Sequence, residues 1–244
     1  MYRSNRSAGD QSILDLPFCD PRVDGPVREE SKASRSKARL GDEQQVSRWE
    51  GLPCGPYDVV LADPPWSYYG QQDKWTAAAK FYPTAPDEQI AALPMHDLLS
   101  KNGILFLWAT SPRLDVAMEC IKSWKLYFRG MAFVWVKARK DGKPIGAQGI
   151  RPSIIKPTAE YVIAASKVAK GRPLKLYNEG VPNVILAPKR EHSQKPPEVQ
   201  AHIESMYPGA RRLEMFARAT RPGWEAWGNE TDRFDAPGYT IAAE

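Results

Sequence analysis

The chain has 244 residues, 42% of them hydrophobic and 26% charged, with a formal net charge of +5, an ordinary balance for a soluble globular domain with a sizeable core. No apolar run approaches the roughly 18 residues of a membrane span, and the polar N-terminus reads as no secretory signal. Three cysteines (Cys19, Cys54, Cys120) and three histidines (His96, His192, His202) are too scattered for a zinc site, and reduced thiols in a cytoplasmic protein are the plain expectation.

Residues 1–50 read as a flexible or partner-dependent arm, because apolar residues are sparse and VREESKASRSKARL is mixed in charge without strand periodicity. A compact domain is expected over 51–235, with a short tail at 236–244. YDVVLAD (57–63) is a buried parallel-type strand, a β-branched run that ends in a carboxylate and then prolines. A loop rich in Tyr, Gly and Trp follows at 67–85. PDEQIAAL (86–93) and MHDLLS (95–100) predict short helices with acids in their first turns. Asn102-Gly103 predicts a turn, and ILFLWAT (104–110) a second strand. Ser111 is expected to cap a helix with Pro112 at its first position. Leu114, Met118, Ile121 and Trp124 then recur at helical spacing.

FRGMAFVWVK (128–137) predicts a third strand, and the glycines and prolines of 138–157 a loop. AEYVIAASK (159–167) and NVILAP (183–188) are strands four and five. Pro196 to Met206 is a helix, with Val199, Ile203 and Met206 on one face. RRLEMFARA (211–219) and the edge segment GWEAWGN (223–229) complete the strands. Alternating β and α elements predict an open, mostly parallel α/β sheet with helices on both faces. Ligands of such sheets sit beyond the carboxyl ends of the strands, which puts Asp63-Pro64-Pro65-Trp66 at the site.

Charge is unevenly spread. Residues 121–175 hold thirteen Lys/Arg and only Asp141 and Glu160 as acids, a local net of +11 that leaves −6 for the remainder. With Trp124, Tyr127, Phe128, Trp135 and Tyr161 interleaved, the block suits a polyanion; a solvated lysine-rich face reads equally well from charge alone.

In Asp63-Pro64-Pro65-Trp66 a strand delivers a carboxylate to its edge. Two prolines stiffen the backbone and donate nothing, so their carbonyls are expected to remain free as acceptors, and Trp66 follows as a stacking plate. Acceptors beside a plate form a receptor for a planar base bearing an NH₂ group; a bare strand-end turn is the alternative. For adenine, whose amine is a poor nucleophile, accepting both amine hydrogens on Asp63 and the Pro64 carbonyl favours a pyramidal nitrogen. Catalysis would be positioning and electrostatics, without a metal or a covalent intermediate, on a base flipped from any duplex.

The tetrad resembles the signature of the DPPW-motif N6-adenine methyltransferases, the family of the eukaryotic mRNA adenosine methyltransferase and its bacterial and phage relatives. In that family a His/Ser-rich segment ending in Lys-Pro precedes a helix. A strand ending in Glu-x-Phe-x-Arg follows, and a Trp and a Gly-Asn pair close the domain. The chain reads HSQKPPEVQ (192–200), PGARRLEMFAR (208–218) and GWEAWGNE (223–230) in the same order, so the resemblance covers roughly residues 55–230.

The resemblance implies a Rossmann-like methyltransferase fold with permuted motif order and S-adenosyl-L-methionine (SAM) as cofactor. It implies that Lys195 contacts the cofactor carboxylate and that Glu214 sits beside the cofactor pocket with Asp63 and Phe216. Arg218 would contact the ribose, and Asn229, followed by Glu230, would hydrogen-bond near the ribose or adenine. Glu160 resembles a family glutamate beside cofactor and target. In the permuted order the target-binding segment lies between tetrad and cofactor strand, and here that segment is the basic block. Its loop 138–157, with Lys137, Arg139, Lys140, Lys143 and Arg151, is the candidate for phosphate contacts. Tyr68 and Trp75 of the loop 67–83 are candidates for contact with the flipped base, or for packing that loop down.

The chain departs from the family pattern at Ala217, where glycine is usual and positive φ would strain a side chain. The segment from Arg218 to Trp224 is short, and Glu230 stands where glutamine is common. DNA is the favoured polymer, because a short chain with no zinc finger or accessory RNA-binding module is similar to bacterial or phage members, which mostly modify DNA. RNA carries the same target base. An inactive nucleic-acid-binding partner is a further reading that the intact tetrad argues against, and cytosine or small-molecule amines fit the tetrad and basic block less well. Monomer and homodimer both stay open, with no membrane or metal partner expected.

Overall fold

The apolar runs of the sequence become β1 (Tyr57–Ala62), β2 (Leu99–Thr110), β3 (Tyr127–Ala138), β4 (Ala159–Ser166), β5 (Val184–Pro188), β6 (Arg212–Met215) and β7 (Glu225–Trp227). They lie in one sheet in the order β5-β3-β4-β2-β1-β6-β7. The computed structural model describes residues 49, 51–67, 85–147, 155–191 and 194–231, and apart from Trp49 these fall in a compact unit that begins at Gly51. The arm, the tail and the segments 68–84 and 148–154 lie outside the described residues.

Parallel pairing joins β1 to β2 and to β6, β6 to β7, and β3 to β5. Only β4 runs against its neighbours β2 and β3, so the sheet is mostly parallel, as expected. The exception has a plain cause. No helix separates β3 from β4 among the described residues, and strands joined without a crossover pair antiparallel. All the parallel strands therefore end at one edge, and β4 begins there.

The described residues form four α-helices, α1 (Asp87–Ala91), α2 (Met95–Leu98), α3 (Leu114–Ser123) and α4 (Glu198–Met206), with α1 packed against α3. Val199 and Ile203 of α4 are buried against Val59, Leu61, Ile104, Phe106, Phe133 and Val162, which alternate onto one face. The other face, with Val60, Ala62, Leu105, Leu107, Ile163 and Ala165, is equally buried, and α2 and α3 contact β2 on that side. Burial on both faces explains why VVLA and ILFLWA read as unbroken apolar runs. Each buried Val, Leu, Ile or Phe side chain among them contributes about 1.5–3 kcal/mol over an exposed one.

Several local expectations are corrected. The helix expected over 95–100 stops at Leu98, and β2 begins at Leu99, so Asn102-Gly103 lies inside a strand. Its turn character survives as a bulge. Tyr57 pairs with Leu99 while Val59 pairs with Ile104, so β2 uses three more residues than β1 in that step. Gly103 fits there because a Cβ would come within 2.9 Å of the Tyr57 carbonyl oxygen. Ser111 opens a 3₁₀ turn (Ser111–Arg113) ahead of α3, and neither it nor α3 has a side-chain cap. Cys120 is a buried free thiol, pushed up to about 12 by burial and then by the Asp87 and Glu119 carboxylates. Cys54 is disulfide-bonded, against the expectation of reduced thiols.

The strand expected over 211–219 ends at Met215, because Phe216 turns the chain with φ +61°. The positive φ therefore falls on Phe216, and Ala217 escapes the strain expected of it. Phe216 packs edge-on to Trp227 at 5.4 Å between ring centroids, and the Ala217 N–H donates to the Trp227 carbonyl at 2.9 Å. Gly228 seats on this turn, where a Cβ would meet Ala217 O at 2.5 Å and Ala217 N at 2.7 Å. Gly228→Ala must displace backbone and is expected to cost on the order of 1–3 kcal/mol, read as a lower urea midpoint. An unchanged midpoint would mean that the two turns do not touch in this way.

Candidate functional site

Alternation along the strands decides which side chains meet at the carboxyl edge. Val59 and Leu61 face α4, and Asp63, two residues on, extends that face past the end of β1. Phe133 and Trp135 face the same way, so Lys137 does too. Glu160, the second residue of β4, pairs in register with Trp135 on one side and Thr110 on the other, and Glu214 pairs with Leu61. Cross-strand partners share a face. Lys195, three residues before Glu198 at the start of α4, is brought over the same edge. Four strands and the approach to one helix thus deliver three carboxylates and two ammoniums to one place.

The charges form a chain. Lys195 Nζ lies 3.1 Å from Asp63 Oδ2 and 3.0 Å from Glu160 Oε2. Lys137 Nζ lies 2.6 Å from Glu160 Oε1, and Arg218 Nη2 stands 3.8 Å from the same Asp63 oxygen that Lys195 meets. Two tryptophans make the floor. Lys195 sits 5.3 Å above the Trp108 ring and Lys137 5.2 Å above that of Trp135, and the two indoles meet edge to face at 6.3 Å. Burial would raise Glu160, but Lys195 and then Lys137 outweigh it and hold the carboxyl at about 2. Burial would likewise lower Lys195, and the Asp63 and Glu160 carboxylates instead raise it. Both stay charged at neutral pH.

Glu214 behaves differently. Burial, and then the Asp63 carboxylate, push it up to about 7, against the lowering effects of Arg221, Gln200 and Arg218. Its Oε2 accepts from the Gln200 amide of α4 at 2.7 Å. Arg218 follows the Phe216 turn, and Asn229 is exposed beside Gly228. The structure thus brings Asp63, Glu160, Lys195, Glu214 and Arg218 together, and sets Phe216, Asn229 and Glu230 on the two adjoining turns.

The tetrad's backbone differs from its expected form. The Pro64 carbonyl accepts the Trp66 N–H at 2.8 Å, and the Pro65 carbonyl accepts the Ala85 N–H at 3.0 Å. Both were expected to be free acceptors; each instead already accepts one backbone N–H and retains a second lone pair. Trp66 is 5% exposed and donates its indole N–H to the Trp108 carbonyl at 3.0 Å. It is a buried brace, not an open plate. Ser67 donates to Asp87 at 3.1 Å, and Asp87 is also held by Arg113, a guanidinium only 1% exposed. The exit of the tetrad is thereby clamped to α1 and to the turn before α3.

The basic block is not one surface. Because β3 and β4 are antiparallel, its middle reaches the site edge and its two ends the opposite edge. At the far edge Arg129 donates to the Val168, Ala169 and Gly171 carbonyls, and Lys167 donates to the Leu99 carbonyl at 2.6 Å. At the site edge residues 139–143 form a tight turn closed by Arg139 N–H to the Lys143 carbonyl at 2.8 Å. Lys140 and Lys143 are exposed there, while Arg139 is paired with Asp141 at 2.9 Å. Lys137, expected with the loop, belongs to β3 and faces Glu160. Tyr68, Trp75 and Arg151 lie outside the described residues. Sequence reasoning missed Trp108 and Gln200, and read Trp135 only as one of the aromatics interleaved in the basic block. The alternation Phe133, Trp135, Lys137 was the available signal for the floor and for its lysine.

A family model, MT-A70, matches residues 57–230. The chain is 30% identical over 197 residues to the type II methyltransferase M.MunI of Mycoplasma sp., covering 73% of this chain and 79% of that protein. It is 31% identical over 181 residues to human METTL3, the catalytic subunit of an N(6)-adenosine-methyltransferase, covering 73% of this chain but 29% of METTL3. It is 27% identical over 208 residues to the mouse N(6)-adenine-specific methyltransferase METTL4, covering 79% of this chain and 41% of METTL4. The chain thus spans most of M.MunI and less than half of the other two.

The Glu214 environment has a signed consequence for stability. A carboxyl raised from the ordinary 4.5 to about 7 binds its proton more tightly folded than unfolded. The folded state therefore loses relative stability as pH climbs through that window. Glu214→Gln cannot titrate. Relative to the parent, it is expected to gain on the order of 2 kcal/mol in unfolding free energy between pH 5 and pH 8, read from urea midpoints. A difference that stays flat with pH would show that Glu214 is not held in this way.

Proposed function

The chain belongs to the MT-A70 family of N6-adenine methyltransferases, which use SAM as methyl donor and share a Rossmann-like fold, and from that premise we propose that it methylates the exocyclic amine of adenine in DNA. The observation that carries the proposal is the Asp63 carboxylate. It stands at the edge of the sheet, 20% exposed, with both of its cations on Oδ2, so Oδ1 is left to accept an N–H.

The donor set fits SAM. Lys195 would offer an ammonium to the carboxylate, Asp63 and Glu160 would flank the cationic end, and Glu214, its carboxyl raised to about 7 by burial and then by Asp63, would face the ribose hydroxyls with Arg218. Asn229 and Glu230 lie on the turn toward the adenine, and Phe216 on the turn that leads to them. SAM supplies, when bound, a methyl group on a sulfonium. Asp63 Oδ1 and the remaining lone pair of the Pro64 carbonyl accept the two hydrogens of the target amine, which turns the nitrogen lone pair out of the ring plane. Trp66 holds that carbonyl by anchoring to Trp108. The proton shed by the methylated nitrogen leaves along its hydrogen bond to Asp63 and on to water. Buried walls and fixed dipoles supply the catalysis, by positioning and by electrostatic preorganisation.

DNA is preferred over RNA on two grounds. The match spans 79% of M.MunI, and compact bacterial and phage relatives that the sequence resembles modify DNA for the most part. RNA is the second reading, favoured by the 31% identity to METTL3. Lys140 and Lys143, exposed on the turn beside the site, are assigned to phosphate contacts, as is Arg151. Tyr68 and Trp75 are assigned to the flipped base and its neighbours. A cytoplasmic enzyme is proposed; among the described residues no helix is long and apolar enough to cross a membrane.

Tritium transfer from SAM to single-stranded DNA, duplex DNA and RNA, with mass spectrometry of the product nucleoside, tests the reaction. N6-methyldeoxyadenosine is expected, and Asp63→Ala is expected to lower the rate by roughly 10²–10³-fold or more while SAM still binds. A variant that methylates at near the parental rate would remove Asp63 from the mechanism, and label in RNA alone would overturn the choice of DNA.

A further inference from the structure

Lys137 has a place that a phosphate-binding lysine would not take. It is the penultimate residue of β3, its side chain is 19% exposed, and its ammonium meets Glu160 at 2.6 Å. The exposed turn that follows it carries Lys140 and Lys143, which reach solvent freely. Its position is fixed from below by the Trp135 ring, as that of Lys195 is by Trp108. The two tryptophans are themselves in contact, so the spacing of the two ammoniums is set by packing, with Glu160 between them.

We propose that Lys137 is a positioning residue for the cofactor. By holding one oxygen of Glu160 it leaves Lys195 able to turn toward a carboxylate. It rests on the reading that Lys195 takes the carboxylate of SAM. The physical reason is a charge balance. Asp63 and Glu160 bring two negative charges, and Lys195 and Lys137 bring two positive ones, each within 3.1 Å of a partner. Glu160 is 12% exposed on its side chain, and a carboxylate so enclosed is costly without a cation on each side. With Lys137 gone, Glu160 has Lys195 alone. An incoming carboxylate must then compete for that ammonium and face an uncompensated negative charge. A ligand without a carboxylate would feel none of this.

That difference is measurable by calorimetry on the full chain with two ligands. S-adenosylhomocysteine carries the carboxylate, and 5′-methylthioadenosine keeps the nucleoside and sulfur but lacks the amino-acid end. Lys137→Gln, which preserves a donor to Glu160, and Lys137→Met are each expected to weaken S-adenosylhomocysteine about tenfold. Both should leave methylthioadenosine within about twofold, and Lys137→Arg should restore the homocysteine ligand. Equal losses for both ligands would make Lys137 a packing residue and overturn the inference. No loss for either, with weaker and less salt-sensitive DNA binding, would return Lys137 to the phosphate role. Lys195→Met is the separate control. If it fails to discriminate the two ligands, the reading of Lys195 falls first and Lys137 with it. If it discriminates and the Lys137 variants do not, only the Lys137 inference is lost.

Discussion

Lys195 Nζ stands 3.1 Å from Asp63 and 3.0 Å from Glu160, and two carboxylates from different strands could not share one sheltered edge without it. Like charges in a sheltered site repel strongly, and one of the pair would take up a proton. Glu214 illustrates the outcome where no lysine intervenes. It lies near Asp63, meets only the Gln200 amide at hydrogen-bond distance, and is pushed up to about 7, by burial first. The edge thus holds one carboxyl, Glu160, that Lys195 and Lys137 keep ionised against burial, and another, Glu214, that burial and then the Asp63 charge raise. That division suits a ligand with a charged end and an uncharged sugar.

The fold makes this arrangement possible by letting strands of both directions contribute. Parallel strands β1, β3 and β6 carry Asp63, Lys137 and Glu214 at or beyond their carboxyl ends. β4 runs the other way and contributes Glu160 from its beginning. α4, buried against the same face through Val199 and Ile203, brings Lys195 in front of it and Gln200 within it. Trp108 links the halves. Its ring supports Lys195, and its carbonyl receives the Trp66 indole. A change in packing beneath Trp108 therefore reaches both Lys195 and the backbone of Asp63-Pro64-Pro65-Trp66.

Much of this was legible in the residues because it depends on order along the chain. A β-branched run ending in Asp63-Pro64-Pro65-Trp66 places a carboxylate on a strand edge, and Lys195, Glu214 and Arg218 follow at the spacing of a known family. What sequence could not carry was direction and burial. A charge count over 121–175 cannot see that antiparallel β3 and β4 send Arg129 and Lys167 to one edge and Lys137 and Lys140 to the other. Trp66 looks like a stacking plate in sequence, and only its bond to the Trp108 carbonyl shows that it braces the turn. The concern raised by Ala217 was one residue out of place, since Phe216 takes the positive φ and the Trp227 ring packs against it. Asn102-Gly103 was expected to be a turn, but it lies inside β2, where a bulge takes up the extra residues without ending the strand.

In the proposed reaction the Lys195 ammonium exchanges the protein carboxylates Asp63 and Glu160 for the carboxylate of the cofactor. A crystal structure of the chain with S-adenosylhomocysteine measures that exchange directly. The carboxylate of the ligand should lie within hydrogen-bond distance of Lys195 Nζ, with its sulfur opening toward Asp63 Oδ1 and its ribose on Glu214. Density for the ligand elsewhere, with Lys195 still bridging Asp63 and Glu160, would contradict the account.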